Sequence, residues 1–169
     1  MGNMYLLLFP GVISFLKLQV ARADHASVIM GNALWVTGGK GENGPLRSTE
    51  FVFSNGTVKQ GPNLPNWMIG HCMVKLLDGT VLLMGGKTKE GSRGDDKGWQ
   101  YYPKEKTYMY KKLAKRNRGR YYHACAMFHS PKLEDRPILM LAGGLHAGRS
   151  VEVLDYTKRR DGAKWEESK

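Results

Sequence analysis

Two cysteines sit beside histidines: Cys72 directly after His71, and Cys125 two residues after His123. A thiol next to an imidazole is raw material for a nucleophile and its base. Geometry argues against that use, because neighbours along a strand face opposite ways and both cysteines lie in apolar, strand-like segments. They read as buried small residues. Two cysteines are too few for a disulfide scaffold and have no zinc-ligand spacing. A bond between them is disfavoured, since their offsets from the preceding histidine differ by one and suggest opposite facings. Tyr101, Tyr102, Tyr121, Tyr122, His129 and His146 could serve a metal or redox centre, but the tyrosines fit better as strand aromatics on half-buried surfaces. No Gly-rich phosphate loop and no paired-carboxylate site emerges. The chain reads as non-enzymatic, with no catalytic residue, metal site or cofactor.

Charge is the stronger signal. The 169 residues carry a formal charge of +11, which favours anionic partners. The cations gather in segments that read as loops: Lys40, Arg47, Lys87, Lys89, Arg93, Lys97 and Arg149, then a run of Lys111, Lys112, Lys115, Arg116, Arg118 and Arg120. Only Glu42, Glu90, Asp95 and Asp96 oppose them there. Arg93, Lys111, Lys112, Lys115, Arg116 and Arg118 are the expected contacts to an acidic protein segment or a polyanion. Nucleic acid is disfavoured: Lys115 to Arg118 is short, and no stacking platform is evident beyond Tyr121 and Tyr122.

The elements that must carry these loops repeat. His25, His71 and His123 each precede an apolar run that ends in a glycine pair: Gly38-Gly39, Gly85-Gly86 and Gly143-Gly144. A unit recurring every fifty or so residues marks a propeller or solenoid. In the first unit Ala26 to Met30 reads as a strand, Gly31-Asn32 as a turn, and Ala33 to Thr37 as the return strand. Cys72 to Leu77, Asp78-Gly79 and Val81 to Met84 repeat the arrangement. The third unit runs from Arg120 through Phe128, then Ile138 to Ala142. Its extra length falls in Ser130 to Pro137, a loop insertion of little cost. Third strands follow around Glu50, Trp99 to Pro103 and Glu152, and fourth strands around Val58, Tyr108 and Trp165. Four short antiparallel strands per unit make a propeller blade. The expected fold is therefore all-β: about three four-stranded antiparallel blades of an incomplete propeller. The recurrence of His25, His71 and His123 in one register, with the glycine pairs and Trp165, marks them as structural.

These residues resemble the kelch repeat family, in which Arg-x-x-His opens each unit, a Gly-Gly pair closes its second strand, and a Trp follows late. Arg22/His25 and Arg120/His123 match the opening, whereas the second unit has Trp67 where the arginine is expected. The resemblance covers residues 22 to 169, read as repeats over 24–65, 66–117 and 118–169. It implies propeller blades whose loops grip other proteins. The kelch fold is also similar to that of galactose oxidase, a copper enzyme with a tyrosyl–cysteine crosslink, which gives an enzymatic alternative. A further alternative is the substrate-binding propeller of a ubiquitin-ligase adaptor. Three blades leave two open edges, so either further blades in a longer propeller or a second copy is expected to cover them, the former being favoured.

The first 23 residues differ from the rest. Met4 to Leu18 is apolar but broken by Pro10, Gly11, Ser14 and Lys17, which is short for a membrane span. Ala21-Arg22-Ala23 has the small-x-small pattern of a signal-peptide cleavage site. Residues 1–23 therefore read as a signal peptide and the protein as secreted, a cytoplasmic location being the alternative. Asn55-Gly56-Thr57 matches the N-glycosylation pattern.

Overall fold

The computed structural model describes residues 17–90, 94, 98–111, 119–131, 134–157 and 166–167. Among them the chain is all-β, built as three four-stranded antiparallel sheets and one two-stranded ribbon. The first blade holds β1 (Ala26–Met30), β2 (Ala33–Thr37), β5 (Thr49–Phe53) and β6 (Val58–Gln60), with the ribbon of β3 (Lys40–Gly41) and β4 (Gly44–Pro45) between its second and third strands. The second blade holds β7 (Ile69–Lys75), β8 (Val81–Lys87), β9 (Gly98–Tyr102) and β10 (Thr107–Lys111). The third holds β11 (Ala124–Ser130), β12 (Arg136–Ala142), β13 (Val151–Asp155) and β14 (Glu166–Glu167). Each sheet is a simple meander. Trp165 and residues 1–16 lie outside the described residues. The third unit departs from expectation at its start: Arg120 to His123 precede the strand rather than open it.

Two-residue alternation splits every strand between two interfaces. In β7 and β8, Met73, Val81 and Leu83 pack toward the first blade with Ala26, Trp35, Leu64 and Met68. Their neighbours Cys72, Val74, Leu82 and Met84 pack toward the third blade with Leu139, Leu141 and Leu154. Trp35 is fully buried, and its ring lies 4.6 Å from that of Tyr101 across the first interface. The core is thus two layers between three stacked sheets, as face-to-face blades require.

The same alternation corrects the reading of the cysteines. His71 pairs with Gly85, while Ala124 pairs with Ala142, so Ala124 is the structural equivalent of Cys72, and Cys125 the equivalent of Met73. Cys72 therefore faces the third blade and Cys125 faces the second. Opposite facings on successive blades bring the two thiols to one interface, where they form a disulfide with Cα atoms 6.0 Å apart.

The glycine pairs interlock the blades. A Cβ on Gly38 would come within 2.6 Å of Met68 O and 3.1 Å of the His71 ring, and one on Gly85 within 2.7 Å of Arg120 O, with the His123 ring against it. Each first glycine is thus the seat for the next blade's histidine, at a positive φ (59° and 64°) that glycine adopts freely. Gly39 N–H donates to Met68 O (2.8 Å) and Gly86 N–H to Arg120 O (3.0 Å). A second set of bonds runs between the residues just before each histidine: Gly70 N–H donates to Asp24 O (2.9 Å), and Tyr122 N–H to Gly70 O (2.7 Å). Asp24, Gly70 and Tyr122 share a left-handed conformation, with φ of 57°, 63° and 57°.

Two measurements check these interfaces. The disulfide closes a separation of 53 residues, so the Cys72→Ser/Cys125→Ser variant is expected to lose about 2–4 kcal/mol by chemical denaturation; an unchanged midpoint would show that the bond contributes nothing. His71 is buried with its Nε2 2.8 Å from Thr37 Oγ1. Burial first, and the nearby His25 second, lower its pKa to about 3. The unfolded chain takes up this proton below pH 6.5 and the native state does not, so stability is full above that value and falls as pH drops toward 3. The expected slope is up to about 1.4 kcal/mol per pH unit. His71→Gln should flatten that part of the profile of unfolding midpoint against pH.

Candidate interaction face

In a meander, the loops after the second strand and the connections after the fourth emerge at one edge of the sheet. Here those segments are 38–48, 88–97 and 143–150, with 61–68 and 112–123 between blades. Lys40, Arg47, Lys89 and Arg149 are exposed among them. Gly94 lies on this edge at φ 99°, so close to the 4–1 connection that a Cβ would come within 2.7 Å of the Arg120 backbone. The second blade's loop is thereby held against the connection leading into the third blade. Of the six candidate contacts, Arg93, Lys112, Lys115, Arg116 and Arg118 lie outside the described residues, and Lys111 is described only as the last residue of β10. By chain connectivity Arg93 adjoins Gly94, and Arg118 is two residues from Arg120.

Arg120 does not belong to the exposed charge. Its side chain is fully buried and ion-paired to Glu152. Nη1 donates to the carbonyls of Gly143 (3.0 Å) and Ser150 (3.4 Å), and Nη2 to Ser150 Oγ (3.2 Å). Arg22 repeats the arrangement in the first blade. Its Nη1 donates to Gly38 O and Ser48 O (both 2.8 Å), and its Nη2 to Ser48 Oγ (3.2 Å) and Glu50 Oε1 (2.6 Å). Each guanidinium bridges the two ends of a 2–3 loop and clamps it shut. Glu50 also accepts from the backbone N–H groups of Gln19 and Val20, and Ala23 forms a β-bridge with Lys40. Residues 19 to 23 are thus part of the first blade, and a cut after Ala23 would remove its clamp.

The second blade has no such clamp. The bond from Gly39 N–H to Met68 O matches that from Gly86 N–H to Arg120 O, so Met68, not Trp67, stands at the arginine position. The register Leu83↔Trp99 matches Val36↔Glu50 and Leu141↔Glu152, so Trp99 stands at the glutamate position. Both join the apolar core between the first two blades. An ion pair is replaced as a unit by two apolar side chains, a swap that buried pairs tolerate well. Glu50 and Glu152 were visible in sequence as the odd residue in otherwise apolar third strands; what was not drawn is that they occur only where the arginine does.

The rings of His71 and His123 seat on Gly38 and Gly85, whereas His25 is exposed. The tyrosine and histidine set does not converge. Tyr101 is buried in the core between the first and second blades. Tyr121 and His146 lie with ring centres 5.7 Å apart, and Tyr122 donates to Asp24 (3.0 Å). Among the described residues no three His, Cys, Asp or Glu side chains gather as metal ligands. Because Cys72 and Cys125 bond each other, no thiol remains for a tyrosine crosslink. No described helix is long and apolar enough to cross a membrane. Neither a protein-family model nor a curated protein matches the sequence.

Removing one half of a clamp should be costly and removing both halves mild. Arg120→Met is expected to destabilise by about 3–5 kcal/mol, because it leaves the Glu152 carboxylate without its guanidinium, while Arg120→Met/Glu152→Leu should recover most of the loss. Equal losses for the single and double variants, measured by urea unfolding, would show that the pair does not act as a unit.

Proposed function

We propose that this chain is a non-enzymatic interaction module of the kelch-repeat kind, which holds an acidic protein segment or a polyanion through the basic loops at one edge of its blades. The observation that carries this reading is the seating of Gly94 on the Arg120 backbone. It joins two loop segments whose flanks hold Arg93 on one side and Lys111, Lys112, Lys115, Arg116 and Arg118 on the other. Among the described residues the loops of the first and third blades are clamped by a buried arginine and that of the second is not. Loops carried on a rigid scaffold are the usual seat of binding, and a single-sign cluster draws an oppositely charged ligand at long range.

The disulfide supports an oxidising compartment, and with it a secreted location. It counts against a cytosolic ubiquitin-ligase adaptor. Asn55 lies in the exposed turn between β5 and β6, its Oδ1 accepting from Thr57 N–H. That turn emerges at the edge opposite the basic loops, so a glycan there would leave them open.

The reading is tested by titrating the full chain with a sulfated glycan and with a poly-glutamate peptide at rising ionic strength. Affinity should fall roughly ten-fold or more as the Debye length shrinks from about 10 Å at 0.1 M salt to about 3 Å at 1 M. Replacing Lys111, Lys112, Lys115, Arg116 and Arg118 together by Ser should abolish the salt-dependent part without changing the unfolding midpoint. Binding that is flat with salt, or unchanged in that variant, would refute the proposal.

A further inference from the structure

We infer that the two outer blade faces of this chain are made for each other, and that two copies close head to tail into one ring. Every bond that joins successive blades has one unused half at each end of the stack. Gly143 is the third seat, yet nothing among the described residues fills it: the nearest described atom to a Cβ there is Gly148 O at 3.9 Å. His25, the histidine without a seat, is exposed at the other end. Gly144 N–H corresponds to the Gly39 and Gly86 donors, and Arg22 C=O to the Met68 and Arg120 acceptors. Tyr122 C=O corresponds to the Asp24 and Gly70 acceptors, and Asp24 N–H to the Gly70 and Tyr122 donors. Among the described residues, none of these four groups has a backbone partner in the chain.

The side chains agree. The free face of the third blade presents Ala124, Ala126, Phe128, Met140 and Val153, with the ion-paired Arg136 and Asp155 beside Phe128; in the second blade the equivalents of the first four, Cys72, Val74, Leu76 and Leu82, are buried against the neighbour. The free face of the first blade presents Ile29, Leu34 and Val52, with Ile29 68% and Leu34 41% exposed. Donor meets acceptor, seat meets histidine and apolar meets apolar when the third blade of one copy packs on the first blade of another. A second copy supplies both halves at once. The resulting ring has two identical junctions and twice the three blades seen here, within the roughly four to eight that propellers use. A head-to-tail contact gives a closed ring when its rotation closes and an open filament when it does not.

The native disulfide provides the measuring stick. Ala124 is the equivalent of Cys72, and Ser27, paired with Val36, is the equivalent of Cys125. Both are exposed. The Ser27→Cys/Ala124→Cys variant of the full chain should therefore run as a covalent dimer on a non-reducing gel and collapse to the single chain on reduction. The unmodified protein should sediment at twice the 19.0 kDa chain mass. Gly143→Asn fills the seat with a residue that tolerates positive φ and meets nothing closer than 3.9 Å within its own chain; it should sediment as a single chain with an unchanged circular dichroism spectrum. Gly148→Asn, with a matching φ of 59° and open space around it, should remain dimeric. A wild-type protein that sediments as one chain without crosslinking, or as an open series of ever larger species, overturns the inference.

Discussion

The close approach of each glycine corner to the next blade is the constraint on which the rest of the molecule depends. Met68 O and the His71 ring occupy the space that a side chain on Gly38 would need, and Arg120 O with the His123 ring does the same at Gly85. This contact fixes the spacing of the sheets at their inner ends. With the spacing fixed, the alternating side chains of β7 and β8 fill two separate apolar layers. It also explains why His71 stays neutral: a ring sealed between two backbones has no water to solvate its cation, and burial dominates the lowering of its pKa. A four-stranded sheet of this size has two apolar faces and cannot bury either alone, so the corner contact converts marginal units into a stack.

The arginine clamps are a second layer of the same design. Arg22 and Arg120 act on the loop that follows the glycine corner, tying Gly38 to Ser48 and Gly143 to Ser150. The cost of burying each guanidinium is offset by a carboxylate and by the backbone carbonyls to which it donates. The middle blade dispenses with the pair and uses Met68 and Trp99 in apolar packing. Its neighbours on both sides already hold it, and a disulfide joins it to the third blade.

Much of this was legible from residue types alone. The spans Ala26–Met30 and Ala33–Thr37 follow from alternation around Gly31-Asn32, and the structure reproduces both. The blade architecture follows from three His-to-Gly-Gly units in register. The disulfide was misjudged for an instructive reason. Opposite facings separate two residues within one sheet but unite them between two stacked sheets, and the choice between these depends on tertiary packing. The three-residue spacing of Arg22 to His25 and Arg120 to His123 reaches Met68 from His71, one residue after Trp67, and the hydrogen-bond register agrees. Arg120 was counted as surface charge because its partner, Glu152, lies 32 residues away, a distance at which sequence carries no pairing signal without the matching case of Arg22 and Glu50.

Blade faces and loop edges are orthogonal surfaces, and this separates the two roles inferred for the chain. Faces are largely apolar and pack on other blades; the edge exposes Lys40, Arg47, Lys89 and Arg149. A head-to-tail ring has its symmetry axis along the central channel, so every 2–3 loop and every 4–1 connection points to the same rim. Two copies would then set two basic clusters on one side of the ring, facing a common ligand. A polyanion long enough to reach both would gain from the high effective concentration of the second site. The repulsion between the clusters would be borne by junctions made of backbone bonds and apolar side chains, which salt hardly weakens. Ionic strength should therefore act more on the ligand than on the ring, because the joining face of the third blade holds Arg136 paired with Asp155, whereas the exposed edge cations Lys40, Arg47, Lys89 and Arg149 are of one sign.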